Sequence, residues 1–324
     1  MSSDPEFGAV SADPGFRDRI AGGLIGLLIG DALGVPYEFH PPQDLPTAAQ
    51  IEFRPPQGFR RAHVGVPPGT WSDDGAHALV LLDSLLTKNC LDLTHLSAGL
   101  VRWLFEGFCA VNRSVFDVGA QTSTAINRLN MGVSPEHSGP TDERHNGNGS
   151  LMRVLPLALW HRGTVEELAL LAARHSLPTH GHPRSQVACA MYCLWARATL
   201  GDADEPWGTA SSQLRALAAS ADFFPDEVEL MLNPANADAA RGTGYVVDTL
   251  WSARAAVENS KSYEECVRRA ILYGHDTDTT AAVAGGIAGL KYGKDGIPER
   301  WRIQLRGESI YLPLLDRLLA YSAH

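Results

Sequence analysis

Several things are absent from this 324-residue sequence, and each absence removes a class of function. No block of clustered Lys or Arg occurs, and 27 basic against 37 acidic residues leave a formal charge of −10. A nucleic-acid groove or an anionic membrane surface needs concentrated positive charge, so neither is expected as a partner. One small polyanionic ligand, held by backbone donors or a metal, stays compatible with that charge. The most apolar run, Ile20–Gly30, is about half the ~20 residues of a spanning helix and ends at Asp31. Arg17 and Arg19 ahead of it suggest a secretory leader, but the run is glycine-spaced and continues straight into a polar motif, against that reading. Five cysteines (Cys90, Cys109, Cys189, Cys193, Cys266) are an odd number without a Cys-x-x-Cys pair, which favours small core residues in a reducing compartment. The expectation is a soluble cytoplasmic globular protein.

Strand alternation is equally scarce, and no βαβ rhythm emerges, so a doubly wound sheet is not expected. Helical periodicity recurs instead. Leu79, Leu82, Leu85 and Leu86 carry the three-four spacing of a buried helical face. Thr164–Glu167 and Ser262–Glu265 read as capping boxes opening helices at 165–174 and 262–273. Further helices are predicted near 16–33, 95–109, 117–130, 184–199, 208–220, 244–256, 279–292 and 309–322. Residues 1–15 read as a disordered lead and 16–324 as one compact all-α domain of many helices. The Gly/Pro/Ser/Asn-rich stretches 40–70 and 131–150 read as long loops, which in a compact helical domain are often functional.

Two predicted helices carry glycine every fourth residue: Gly22, Gly26, Gly30 and Gly34, then Gly285, Gly289 and Gly293. Each glycine weakens a helix by roughly 1 kcal/mol relative to alanine, so the rows imply close helix–helix contact. Each row also leads into or out of an acidic motif, so tight packing would position what lies at the helix ends.

Three acidic clusters are the strongest chemical signal. Glu38 follows Gly30-Asp31-Ala32-Leu33-Gly34; Ser72-Asp73-Asp74 stands where a loop meets a helix; Asp276-Thr277-Asp278-Thr279 does the same near the C-terminal end. One acidic residue at a helix start is ordinarily a cap. Paired carboxylates exceed what a cap needs, and converging carboxylates repel unless protonated or paired with cations. No matching Lys or Arg set lies near them in sequence. A donor set of carboxylates and hydroxyls suits Mg²⁺, Mn²⁺ or Ca²⁺ rather than Zn²⁺, and four to six such ligands would hold two cations. Asn146-Gly147-Asn148-Gly149-Ser150-Leu151-Met152-Arg153 forms a small-residue run suited to a phosphate nest. It is neither a P-loop nor a dinucleotide fingerprint, and no Gly-x-Ser-x-Gly elbow occurs.

Taken in order, Gly30–Gly34 with Glu38, Ser72-Asp73-Asp74, Asn146–Arg153, Thr179-His180-Gly181-His182-Pro183 and Asp276–Thr279 resemble the ADP-ribosylglycohydrolases. Within them the chain looks most like the bacterial dinitrogenase reductase-activating glycohydrolase branch. The resemblance runs from about residue 17 to Trp301. Val115–Gly119 resembles the family's ribose-contacting Asp loop, and Gly244–Thr249 its late helix start.

The resemblance implies an all-α fold with two divalent cations, Mg²⁺ or Mn²⁺, in a central cleft, and hydrolysis of the bond between ADP-ribose and a protein side chain. Ser72, Asp73, Asp74, Asp276, Asp278 and Thr279 would be metal ligands, with Glu38 a ligand or gate. Asp117 and Asp276, then Glu38, would carry the catalytic carboxylate role. Glu38, Asp117, Gly119, Asn146, Gly147, Asn148, Gly149, Ser150, Met152, His180, His182 and Tyr245 would contact ADP-ribose. Ser72 stands where the family usually has Thr, and Gly75 where a second Thr is common; neither change removes a carboxylate. The implied substrate is an ADP-ribosylated protein, arginine-linked first and serine-linked second. The acceptor is open between a metabolic enzyme and the target of an ADP-ribosylating toxin, which would make the chain an immunity factor. A non-catalytic ADP-ribose-binding protein and a metal phosphatase are the competing classes.

Overall fold

The computed structural model describes residues 13–321. Eleven helices of nine or more residues lie among them. They are α1 (Pro14–Gly34), α2 (Asp73–Lys88), α3 (Leu93–Glu106), α4 (Ala120–Asn130), α5 (Val165–Ser176) and α6 (Pro183–Leu200), followed by α7 (Pro206–Ala221), α8 (Val246–Glu258), α9 (Tyr263–Ile271), α10 (Thr277–Tyr292) and α11 (Glu308–Tyr321). Among the described residues no strand forms; one isolated bridge joins Gly147 to Tyr245. The architecture is all-α around one core, as expected. Of the predicted lead, residues 1–12 lie outside the described residues. Asp13 caps α1 by accepting the Phe16 N–H at 3.2 Å, so the helix opens two residues before the predicted start.

Local chemistry explains the helix ends. Thr164 and Glu167 form the reciprocal capping box predicted for them. Ser262 accepts the Glu265 N–H at 3.1 Å at the start of α9. The helix predicted from 117 begins only at Ala120, because Asp117 adopts a left-handed backbone (φ 55°) that breaks the helical path. A short helix at Leu155–Trp160 was not predicted; its six residues are apolar throughout and carry no periodic signal.

α1 and α10 form the most extensive helix pair, and the glycine rows explain it. Gly22, Gly26, Gly30 and Gly34 face Gly289, Gly285, Ala281 and Asp278 in turn, so the helices run antiparallel. A Cβ at any of these four glycines would overlap facing backbone atoms. By length and composition Pro14–Tyr37 could cross a membrane, which the shorter run Ile20–Gly30 did not suggest. The qualifying stretch is buried inside the protein, as a core helix is. All five cysteines are free, and Cys189 and Cys193 pack in the core.

The antiparallel pairing has a direct consequence for chemistry. It sets the C-terminal end of α1 against the first turn of α10, where Thr277 Oγ1 donates to the Gly34 carbonyl at 2.8 Å. Asp31 and Asp278 therefore lie in the same buried region, 247 residues apart in sequence.

Candidate active site

Asp31 organises the next element. Its buried carboxylate accepts the backbone N–H groups of Ser72 (2.8 and 3.0 Å) and Gly75 (2.7 Å). The start of α2 is thus capped from another helix. Ser72 completes the cap by accepting the Asp74 N–H at 3.3 Å. Asp73 and Asp74 are held in the first turn of α2, both buried.

The start of α10 meets this turn. Thr279 Oγ1 donates to Asp74 Oδ1 at 3.4 Å, and Asp278 Oδ1 accepts the Thr279 N–H at 2.9 Å. The outer oxygens, Asp74 Oδ2 and Asp278 Oδ2, are buried and have no hydrogen-bond partner. Glu38, just after α1, completes the group: one carboxylate oxygen each from Glu38, Asp276 and Asp278 lie within 4.8 Å of one another. A second set within the same span is Glu38, His63 and Asp117.

The electrostatic cost of this gathering is visible in every carboxyl group it buries. Burial, then neighbouring carboxylates, pushes Glu38 up to about 11. Burial pushes Asp31 up to about 7 despite the Ser72 and Gly75 donors, and lifts Asp73, Asp74 and Asp278 well above the usual carboxylate range. Asp117 is raised by burial as well, opposed by the neighbouring Asp278 carboxyl and by His63. Four or more carboxyls crowded in low dielectric, two with unpartnered buried oxygens, require either protons or cations. The donors are oxygens, and Thr279 and Ser72 add hydroxyls nearby. That set fits a hard divalent cation.

A cavity of about 280 Å³ opens over this centre, and its acidic and hydroxyl lining comes from Glu38, Asp73, Asp74, Asp117, Asp276 and Thr279. Gly147, Asn148, Gly149, Met152 and His180 line it too, as do Gly119, Gln121, Thr122 and Gly244. The glycine–asparagine run is fixed from two directions. Asn148 Nδ2 donates to Asp276 Oδ2 at 2.8 Å and to Thr249 Oγ1 at 3.0 Å, and the Asn148 N–H donates to the Gly244 carbonyl at 3.1 Å. From behind, fully buried Arg153 donates to the Gly149 carbonyl at 3.1 Å. Gly149 leaves no room for a side chain, since a Cβ would lie 2.9 Å from both His180 and Thr122.

The other residues singled out by sequence fall elsewhere. Ser72 and Asp278 lie behind the cavity wall, buried. Ser150 is also buried behind it, its hydroxyl accepting from Ser176 Oγ at 2.8 Å. His182 is not part of this cavity's lining; its Nδ1 accepts the Arg184 N–H and caps α6. Asn146 and Tyr245 line a second cavity of about 810 Å³, which shares Ala120, Gln121, Gly147 and Gly244 with the first. Sequence reasoning missed Asp31, Gln121, Thr122 and His63. Asp31 sat inside a quoted motif without a role. Gln121 occupies an unremarkable helical position. His63 lies in the 40–70 loop; its Nε2 shares a 2.6 Å hydrogen bond with Glu38 Oε2 and stands 3.8 Å from Asp117. Only the loop's length could have pointed to it.

A helical fold whose two glycine-packed helices bring carboxylates and hydroxyls to one cleft defines a class of all-α proteins with an acidic cluster of metal-ligand spacing. The chain belongs to the ADP-ribosylglycohydrolase family, whose sequence profile matches residues 12–323. It is 32% identical over 291 residues to the ADP-ribosylarginine hydrolase Tri1 of Serratia proteamaculans (strain 568), covering 88% of this chain and 74% of that protein. It is 28% identical over 315 residues to the ADP-ribosyl-[dinitrogen reductase] glycohydrolase of Rhodospirillum rubrum, covering 95% and 97%. A solved structure described as an ADP-ribosylglycohydrolase-related protein complex superposes with a TM-score of 0.74 at 30% identity, covering 95% and 98% of the two chains.

Proposed function

We propose that this protein hydrolyses the N-glycosidic bond between ADP-ribose and modified arginine side chains of proteins. The observation that carries the reading is the convergence of the 72–74 and 276–279 turns on one cavity that the 147–152 run also lines. The similarity to ADP-ribosylarginine hydrolases supports arginine as the acceptor. Five free thiols suit a cytoplasmic setting.

Ser72, Asp73, Asp74, Asp276, Asp278 and Thr279, with Glu38, would hold two divalent cations, Mg²⁺ or Mn²⁺. Bound there, the cations supply Lewis acidity toward the sugar hydroxyls and acidify water in the cleft. The chain's own residues do the rest. The backbone N–H groups of 147–152 face the diphosphate, with Asn146 and Tyr245 beyond them toward the nucleoside. Gly119 and His180 close the sides of the cleft. The ribose then lies at the acidic end, with its anomeric carbon near Asp117.

Water attacks that carbon while the bond to the arginine nitrogen breaks. The sugar gains positive charge as it does so, and the surrounding carboxylates lower the energy of that charge. Asp117, part-exposed at the cavity wall, takes the water's proton. Asp117 then hands that proton to the departing guanidine nitrogen, leaving free ADP-ribose, unmodified arginine and Asp117 in its starting form. Asp276 is placed by Asn148 to share the carboxylate role.

Peptides carrying arginine-, serine- or glutamate-linked ADP-ribose, incubated with and without Mg²⁺ or Mn²⁺ and followed by mass spectrometry, test the reading. Metal-dependent release of free ADP-ribose from the arginine peptide is expected. Binding without release, or release of inorganic phosphate instead, refutes it.

A further inference from the structure

The two connected cavities give the substrate a direction. The larger one, with Asn146 and Tyr245, joins the acidic cavity at Gly147 and Gly244. Glu38 and Asp117 line the acidic cavity and not the larger one. An ADP-ribose whose nucleoside enters through the larger cavity therefore presents its scissile bond beside Glu38 and Asp117, and its protein side chain leaves past them.

What lies past them is aromatic. His63 touches both carboxylates, at 2.6 Å and 3.8 Å. Its ring lies 5.2 Å from that of Phe116 and 5.5 Å from that of Phe39, at 58° and 51°. Phe39 is 68% exposed and Val64, next to His63, is 80% exposed. Phe39 and His63 also share a left-handed backbone, φ 65° and 47°, which non-glycine residues seldom adopt without a constraint imposed by their surroundings. The nearby cation, Arg61, is occupied within its own loop, donating to the Ala62 and Val66 carbonyls.

We propose that Phe39, His63 and Phe116 form the acceptor subsite, stacking on the arginine side chain whose guanidinium faces the carboxylates of Glu38 and Asp117. This rests on the arginine-directed reading above and extends it to the residues that select the acceptor. Arginine suits such a site because a planar guanidinium stacks on ring faces and donates to carboxylates at its edge. Serine offers neither surface.

The test uses the full chain with Mg²⁺ or Mn²⁺, an arginine-linked ADP-ribosyl peptide, and free ADP-ribose as a competitive inhibitor. Phe39→Ala changes an exposed ring, and Phe116→Leu keeps most of the volume beside Asp117. Each is expected to raise KM for the peptide about fivefold, the effect of losing one guanidinium–ring contact at a part-exposed rim. Inhibition by free ADP-ribose should stay unchanged, because that ligand lacks the acceptor. An unchanged KM in both variants overturns the subsite while leaving the hydrolase reading intact. So does a KM that rises together with the inhibition constant, since a general distortion of the cleft would move both. If the unsubstituted chain releases no ADP-ribose from the arginine peptide, the hydrolase reading itself fails and the subsite falls with it.

Discussion

Thr279 Oγ1 donates to Asp74 Oδ1 across 3.4 Å, joining two helix starts that are 205 residues apart in the chain. Each residue opens its own helix, and each sits beside a carboxylate oxygen that has no partner. Asp278→Ala removes one of those oxygens without touching the glycine-packed backbone. Activity is expected to fall by at least about a thousandfold, a scale reached when a central electrostatic group is lost from a catalytic site. Helical circular dichroism should be unchanged, and the rise in melting temperature on adding Mn²⁺ should disappear. Full turnover in this variant would remove the case for metal at this centre.

The buried carboxyls also set a pH dependence. Their folded pKa values are raised above those of the unfolded chain, so folding favours the protonated forms. The associated stability is complete at low pH and is lost as pH rises toward the folded values: about 7 for Asp31, about 11 for Glu38. Below pH 6.5 the opposite trend of buried His77, His175 and His180 interferes, because burial lowers their pKa values. Between pH 6.5 and 8.5, with chelator present, the melting temperature should therefore fall as pH rises. Each group contributes at most about 1.4 kcal/mol per pH unit. Excess Mn²⁺ should flatten or reverse the slope, since cations bind the ionised forms. A chelated protein that gains stability over this interval would contradict the assignment of raised values.

Asp117 offers a clean separation of charge from backbone. Its left-handed conformation is one that asparagine also accepts. Asp117→Asn should therefore fold normally while losing the charge and the proton acceptor. A drop in kcat of about 10²–10⁴-fold is expected, with ADP-ribose affinity changed far less. Equal losses in both, measured by turnover and by calorimetry, would make Asp117 a binding residue only.

The glycine rows predict a stability effect that depends on position. In Gly30→Ala the new methyl meets the Ala281 carbonyl, forcing the two helices apart. Overpacking of about 1–3 kcal/mol should outweigh the roughly 1 kcal/mol gained in helix propensity. Gly65→Ala, where nothing lies within 4 Å of the new methyl, should change stability little. Urea midpoints of the two variants decide it; equal midpoints would mean that α1 and α10 can separate freely.

Much of this molecule was readable along the chain. The positions of all eleven longer helices follow from periodicity and capping chemistry, because both act within one or two turns. The short apolar helix Leu155–Trp160 was not readable, since a fully buried segment has no alternation to detect. His63 was invisible for a different reason. Its partners, Glu38 and Asp117, are supplied by other segments, and nothing in its own neighbourhood marks it. His182 shows the reverse case: a motif position whose side chain caps its own helix.

The sequence by itself determined the helices, the glycine spacing and the kinds of donor atom, because these depend on side-chain size, local hydrogen bonding and chemical type. Only the tertiary structure decided which carboxylates share a cleft. That depends on α1 and α10 packing backbone to backbone, so that Gly34 lies against Asp278 and the turn held by Asp31 closes over both. Burying those groups together raises their proton affinity, and no spacing along the chain encodes that proximity.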